Sequence, residues 1–184
     1  MDHIDTAHGT DIMGIQPSFS LLEGLKYKTS WDIAKFADDA AFARGEAYEQ
    51  AHIDGNMLLN EGINALLTLA AGGTETAYNN ANARLGVGDQ TTAEAATQTG
   101  LNPAGTTGAN SLYKAMDAGY PTFGTSQQIA FRATFGGTEA NFAWNEFTVD
   151  NGPTPTKNLN RKVSAQGTKA SGQTWQLTLT VTLS

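Results

Sequence analysis

The chain has 184 residues, a net charge of −7 and no cysteine. Without thiols there are no disulfides, thiolate catalysis or zinc–thiolate sites, and an acidic chain lacks the cations that neutralise phosphates, so direct nucleic-acid binding is not expected. Only 16% of residues are charged, and Gly, Ala, Thr and Asn take their place, which makes the surface cheap to desolvate against another protein.

The charge is unevenly spread. Residues 1–55 hold ten acidic and four basic side chains, while residues 56–184 hold eight and seven. Such asymmetry marks an arm with its own partner. Positions 1–29 show no sustained period: Ile12-Met13, Phe19, Leu21-Leu22 and Leu25 sit among Gly, Asp and Ser, with Pro17 as a breaker. This pattern predicts either an extended arm that orders only against a partner or plain terminal disorder. The opening Met1-Asp2-His3-Ile4-Asp5 has neither the basic nor the apolar region of a signal peptide. No run approaches the ~18 apolar residues of a membrane span. The expectation is a protein made in a cytoplasm and soluble there, with no membrane partner.

From Ser30 onward Ile33, Phe36, Ala37, Ala40, Ala41 and Tyr48 follow helical spacing, with Thr29 or Ser30 as cap and Asp32 in the first turn. The stripe is thin, and Gly45 weakens it by about 1 kcal/mol relative to Ala. Asp54-Gly55 is a turn signal. It sets the expected boundary between an arm with a short helix (1–55) and a folded domain (56–184). Met57, Leu58, Leu59, Ile63, Leu66, Leu67 and Ala70 then predict an amphipathic helix stopped by Gly72-Gly73, its apolar face lying on a sheet.

The remainder alternates with a period of two. Ala83, Leu85 and Val87 form one short strand, and residues 90–111 a long polar loop containing Pro103. Leu112, Tyr113 and Met116 begin another ordered stretch. Ile129, Phe131, Ala133 and Phe135 alternate up to the Gly136-Gly137 turn. Phe142 and Trp144 share one register and Phe147 and Val149 another, which predicts a β-bulge near Asn145-Glu146. Leu159, Arg161 and Val163 oppose Asn160, Lys162 and Ser164. Trp175, Leu177, Leu179, Val181 and Leu183 alternate with Thr and Gln in the clearest strand of all. The expected fold is mainly β: an antiparallel, jelly-roll-like β-sandwich of about six strands, one packed helix and an extended, partly helical N-terminal arm.

Few groups converge for chemistry. His3, His8 and His52 are the only histidines, and the first two are five residues apart, unlike a helical metal pair, so they read as surface residues. Gly86-Val87-Gly88 opens no helix and reads as turn chemistry. Glu146, at the expected bulge, reads as the partner of Arg132, Arg161 or Lys162 on neighbouring strands. The alternating aromatics Phe131, Phe135, Phe142, Trp144, Phe147 and Trp175 read as core. No catalytic residue, cofactor or metal ligand is expected.

Several runs occur in order: Asn56-Met57-Leu58-Leu59-Asn60-Glu61-Gly62-Ile63-Asn64-Ala65-Leu66-Leu67; Asn79-Asn80-Ala81-Asn82-Ala83-Arg84-Leu85-Gly86-Val87-Gly88-Asp89; Phe131-Arg132-Ala133-Thr134-Phe135; Ala140-Asn141-Phe142-Ala143-Trp144-Asn145-Glu146-Phe147; and Asn158-Leu159-Asn160-Arg161-Lys162-Val163. Together, residues 56–184 resemble a family of tailed-bacteriophage virion proteins. The resemblance implies a structural, capsid-decorating or tail-associated β-domain without catalytic residues. The leading expectation is a capsid decoration (cement) protein on the virion surface. It would bind the major capsid protein and neighbouring copies of itself, plausibly as a homotrimer. Phe19, Leu21, Leu22, Leu25, Trp31 and Phe36 would be the arm's anchors. The alternatives are a tail, baseplate or fibre-base component and, remotely, a carbohydrate-binding module using Trp144, Glu146 and the 90–111 loop.

Overall fold

Tyr27, Thr29, Trp31 and Ile33 alternate with Lys28, Ser30, Asp32 and Ala34. In the computed structural model, which describes residues 26–101, 110–152 and 156–184, this stretch is a strand, β1 (Tyr27–Phe36). The helix expected from Ser30 to Tyr48 shrinks to one short turn pair, α1 (Asp39–Arg44), capped by Asp38, whose carboxylate accepts from the Ala41 N–H. Gly45 ends it in the left-handed region at φ 72°. The two periods overlap at Ile33 and Phe36, and the β-branched and aromatic side chains of β1 settle the competition through packing.

Nine further strands follow, with a second helix, among the described residues. They are β2 (Glu49–Asp54), β3 (Met57–Leu58), α2 (Asn60–Ala70), β4 (Arg84–Gly88), β5 (Ser111–Ala115), β6 (Thr122–Thr125), β7 (Gln128–Phe135), β8 (Glu146–Asp150), β9 (Asn160–Val163) and β10 (Thr174–Leu183). They form two antiparallel five-stranded sheets, ordered β2-β1-β10-β7-β6 and β3-β9-β8-β4-β5. The chain passes between sheets after β2, β5, β7 and β9, the winding of a β-sandwich. The boundary expected at 55/56 does not divide it. β1 and β2 belong to the first sheet, and β1 pairs along its full length with β10, Trp31 opposite Leu179.

The core lies between the sheets. Trp31 from β1 meets Phe147 from β8 at 5.8 Å, and Trp144 stands edge-on to both Phe135 and Trp175 at 4.9 Å. Trp31 and Phe36 are therefore buried sandwich residues and not anchors on an arm, a correction that follows directly from β1 being a central strand. The expected bulge at Asn145-Glu146 is instead the start of β8. Trp144 precedes the strand, exchanges backbone hydrogen bonds with Gln166 and Gly167, and donates its indole N–H to the Ala140 carbonyl at 3.0 Å. The register irregularity lies elsewhere, between Phe123 and Thr125 on β6.

One end of the core is closed. Lys35 points inward there, its Nζ 2.7 Å from both Glu49 Oε1 and the Gln166 carbonyl and 4.7 Å above the Trp175 ring. Phe42 of α1 packs edge-on to Phe36 at 5.1 Å. The opposite end, where β1 begins, is built differently.

Candidate functional site

On β10 the inward row runs Trp175, Leu177, Leu179, Val181, Leu183. Its exposure stays near zero through Leu179, reaches 6% at Val181 and 40% at Leu183. The inter-sheet core is thus open at the end shared by Leu183 and its partner across the ladder, Tyr27. The opening is a groove of about 810 Å³, within the ~300–1,000 Å³ range of ligand pockets. One wall is the core-facing end of the first sheet, with Ile129, Phe131 and Val181; the other is α2. Among the described residues no charged side chain lines it.

The helix explains why the groove exists. An apolar stripe at Ile63, Leu66, Leu67 and Ala70 was expected to lie flat on a sheet. Instead the small residues Gly62 and Ala65 make the close contact, and Gly62 presses so tightly that a β-carbon there would fall 2.4 Å from Leu159 Cα. This rotates the large side chains toward the groove, leaving Ile63, Leu66 and Leu67 partly exposed, Leu67 at 63%. The approach of helix to sheet is fixed by hydrogen bonds as well. Glu61 accepts from the Asn158 N–H at 2.7 Å, and Asn60 N–H donates to the Ala96 carbonyl.

The rim opposite the helix is the two-residue turn joining β6 to β7. Ser126 and Gln127 both sit at positive φ, 53° and 52°, the geometry of a type I′ hairpin turn normally given to Asn and Gly. The Gln127 carbonyl accepts from the Leu183 N–H at 3.1 Å, tying the turn to β10. Just outside it, Phe123 of the edge strand β6 is 73% exposed.

The charged groups lie elsewhere among the described residues, and several are paired. Glu146 and Arg161 form a fully buried ion pair, which answers which of three cations takes the carboxylate. Arg161 also reaches into the 90–101 segment, donating to the Thr92 carbonyl and to Gln98 Oε1 at 2.9 and 3.0 Å. Asp150 accepts two bonds from Arg84, and burial pushes its carboxyl above the ordinary value against that guanidinium's pull. Arg84 lies over the Tyr113 ring, whose hydroxyl burial has pushed up to about 12. Burial alone would raise Glu139, but Lys114 at 2.5 Å and the Gly136 N–H outweigh it and hold it below the usual range. On the outer face of the first sheet, His52 stands between Asp32 (Nδ1 to Oδ1, 2.6 Å) and Asp54 (3.3 Å).

These placements decide several sequence expectations. Trp144 and Glu146 are wholly buried, so the surface carbohydrate site imagined around them is not there. Phe19, Leu21, Leu22 and Leu25 lie outside the described residues, as do 102–109 of the long loop. The groove itself was missed. Its one sequence signal is a glycine inside an otherwise regular helix, which marks close backbone approach on that side and turns the apolar stripe away from it. Compared with protein-family models, with curated proteins and with solved structures, the chain finds no match, so the site stands on its own geometry.

Proposed function

We propose that this chain is a structural protein of a tailed-phage virion, a capsid decoration protein whose sandwich sits on the shell. The observation that carries the reading as an assembly protein is the open apolar end of the sandwich, at the point where residues 1–25 join β1. An apolar groove flanked by further exposed apolar side chains, Phe123 among them, is how interaction surfaces are built. The phage setting and the major capsid protein as partner rest on the resemblance of residues 56–184. In this reading the arm is residues 1–25, not 1–55, and its anchors are Phe19, Leu21, Leu22 and Leu25. Neighbouring copies on a lattice would offset the ordering cost of such an arm through their multiplicity.

Binding to purified shells tests it. Full-length chain should coat shells in copies that scale with the capsid lattice, counted by quantitative mass spectrometry, and the triple variant Phe19→Ser, Leu21→Ser, Leu25→Ser should lose most of that binding. A dozen copies or fewer per particle would favour a tail or baseplate component instead. No binding to any particle would end the virion reading.

A further inference from the structure

We infer that two copies of this chain associate about a two-fold axis at the open end of the sandwich, each placing Phe123 in the groove of the other. The inference goes beyond the virion reading and does not rest on it.

Phe123 belongs to the same row of side chains as the groove. Across the first sheet Thr29 stands opposite Val181, Val181 opposite Ile129, and Ile129 opposite Phe123. Residues directly opposite each other in an antiparallel pair share one face of the sheet. Phe123 therefore points to the inward side with Val181 and Ile129, both of which line the groove. Thr29 and Val181 are buried, yet Phe123, on the edge strand, is largely exposed and is not among the side chains that line its own groove. An inward-facing phenyl ring with no layer over it calls for a surface from another molecule. At about 810 Å³ the groove has room for such a ring.

The surroundings say which molecule. Among the described residues the exposed large apolar side chains gather at this end. Ile63, Leu66, Leu67 and Leu183 line the groove, Phe123 stands beside it, and Met57 adjoins the lining residue Leu58. Tyr48, whose N–H donates to the Lys35 carbonyl, lies at the other end. Knob and socket are thus on one molecule, and a two-fold rotation satisfies both at once, which is how self-complementary patches work. The charge agrees. Copies of a chain carrying −7 repel one another, but β6 and the described lining of the groove are uncharged, so they can meet there. The other edge of the sheet, β2, carries Glu49, His52 and Asp54, charges that discourage a second copy from pairing. The register shift between Phe123 and Thr125, with Gly124 at φ 91°, keeps β6 from extending into a long ladder between copies. Side chains make the contact.

Sedimentation equilibrium of the full-length chain tests the inference. A contact built on two such insertions belongs with the weak interfaces, so the protein should pass from monomer at about 1 μM to dimer at about 1 mM. Phe123→Ser and Leu67→Asp should each weaken the association by at least about tenfold, with the tryptophan emission of the sandwich unchanged. Tyr48→Ser should leave it as it was. A dimer undiminished in Phe123→Ser would overturn the inference, as would a trimer or larger species. A monomer at every concentration would overturn it too, and resistance of Leu67→Cys to thiol labelling in that monomer would give the groove to another part of the same chain. The geometry has its own readout, because the chain has no cysteine. When Phe123→Cys and Leu67→Cys are mixed and oxidised, the mixed disulfide dimer should exceed the share that random pairing gives. Random proportions would refute the exchange. Neither measurement involves a shell, so failure here and failure of the virion reading are told apart.

Discussion

Arg161 and Glu146 meet where neither side chain touches solvent, with the guanidinium Nε and Nη2 at 2.9 and 2.7 Å from one carboxylate oxygen. The pair bridges adjacent strands β8 and β9, and the remaining arm of Arg161 holds the 92–98 segment. Arg161→Met leaves a buried carboxylate without its cation, and such breaks cost about 3–5 kcal/mol. Urea denaturation should show that loss. The double variant Arg161→Met, Glu146→Leu should recover much of it, since removing both charges is close to neutral. Hydrogen exchange in residues 92–98 should be faster than in the unsubstituted protein in both variants, because the Thr92 carbonyl and Gln98 Oε1 lose the Arg161 donor in each.

Trp31 and Leu67 give a second contrast. Trp31→Ala removes a fully buried indole from the centre of the first sheet and should cost about 3–5 kcal/mol. Leu67→Ser alters a largely exposed side chain at the groove and should change stability by no more than about 0.5 kcal/mol. Thermal unfolding of both variants checks the contrast. A mild effect of Trp31→Ala would contradict the place of β1 in the sandwich.

The turn at Ser126-Gln127 offers a stabilising change. Both residues hold a left-handed backbone, which costs roughly 1–2 kcal/mol for an ordinary L-residue. Replacing them by Asn and Gly (Ser126→Asn, Gln127→Gly) suits the turn and should raise stability by about 1 kcal/mol, seen as a higher Tm.

His52 supplies a pH dependence. The hydrogen bond to Asp32 is the largest cause, with the charge of Asp32 and the contact to Asp54 adding to it, and together they raise the imidazole above its ordinary value of 6.5. Lys162 is nearby, donating to the Asp54 carbonyl at 2.8 Å. A group raised in the folded state stabilises fully below its unfolded value and loses that contribution as pH rises through the folded one. An NMR titration of His52 should therefore give a midpoint above 6.5, falling back in Asp32→Asn. Added salt should shrink the effect, because the group is exposed.

Legibility in the sequence followed the side chains' own periodicity. β7 and β10 were readable because Ile129–Phe135 and Trp175–Leu183 alternate without interruption, and both lie side by side in the first sheet. β1 was not, because its last residues run into Ala37–Ala41, whose 3.6-residue spacing captures Ile33 and Phe36. Deciding between the two periods needs the partner strand, which lies some 150 positions away in β10. The ion pair of Glu146 was foreseen in kind but not in partner, since strand adjacency selects Arg161. The groove stayed invisible because it depends on how far α2 is rotated, and Gly62 against the Leu159 backbone sets that angle.

The place of β10 has a consequence for how the protein is born. It is the middle strand of its sheet, flanked by β1 from the beginning of the domain and β7 from its interior. Until Thr174–Leu183 emerges from the ribosome, Trp31 and Phe131 have no common wall to close on, and β1 has only the edge strand β2 beside it. Pairings this distant along the chain are slow to form. The first sheet is therefore completed only once β10 has been made, and until then β1 and β7 keep their apolar faces without the strand that joins them.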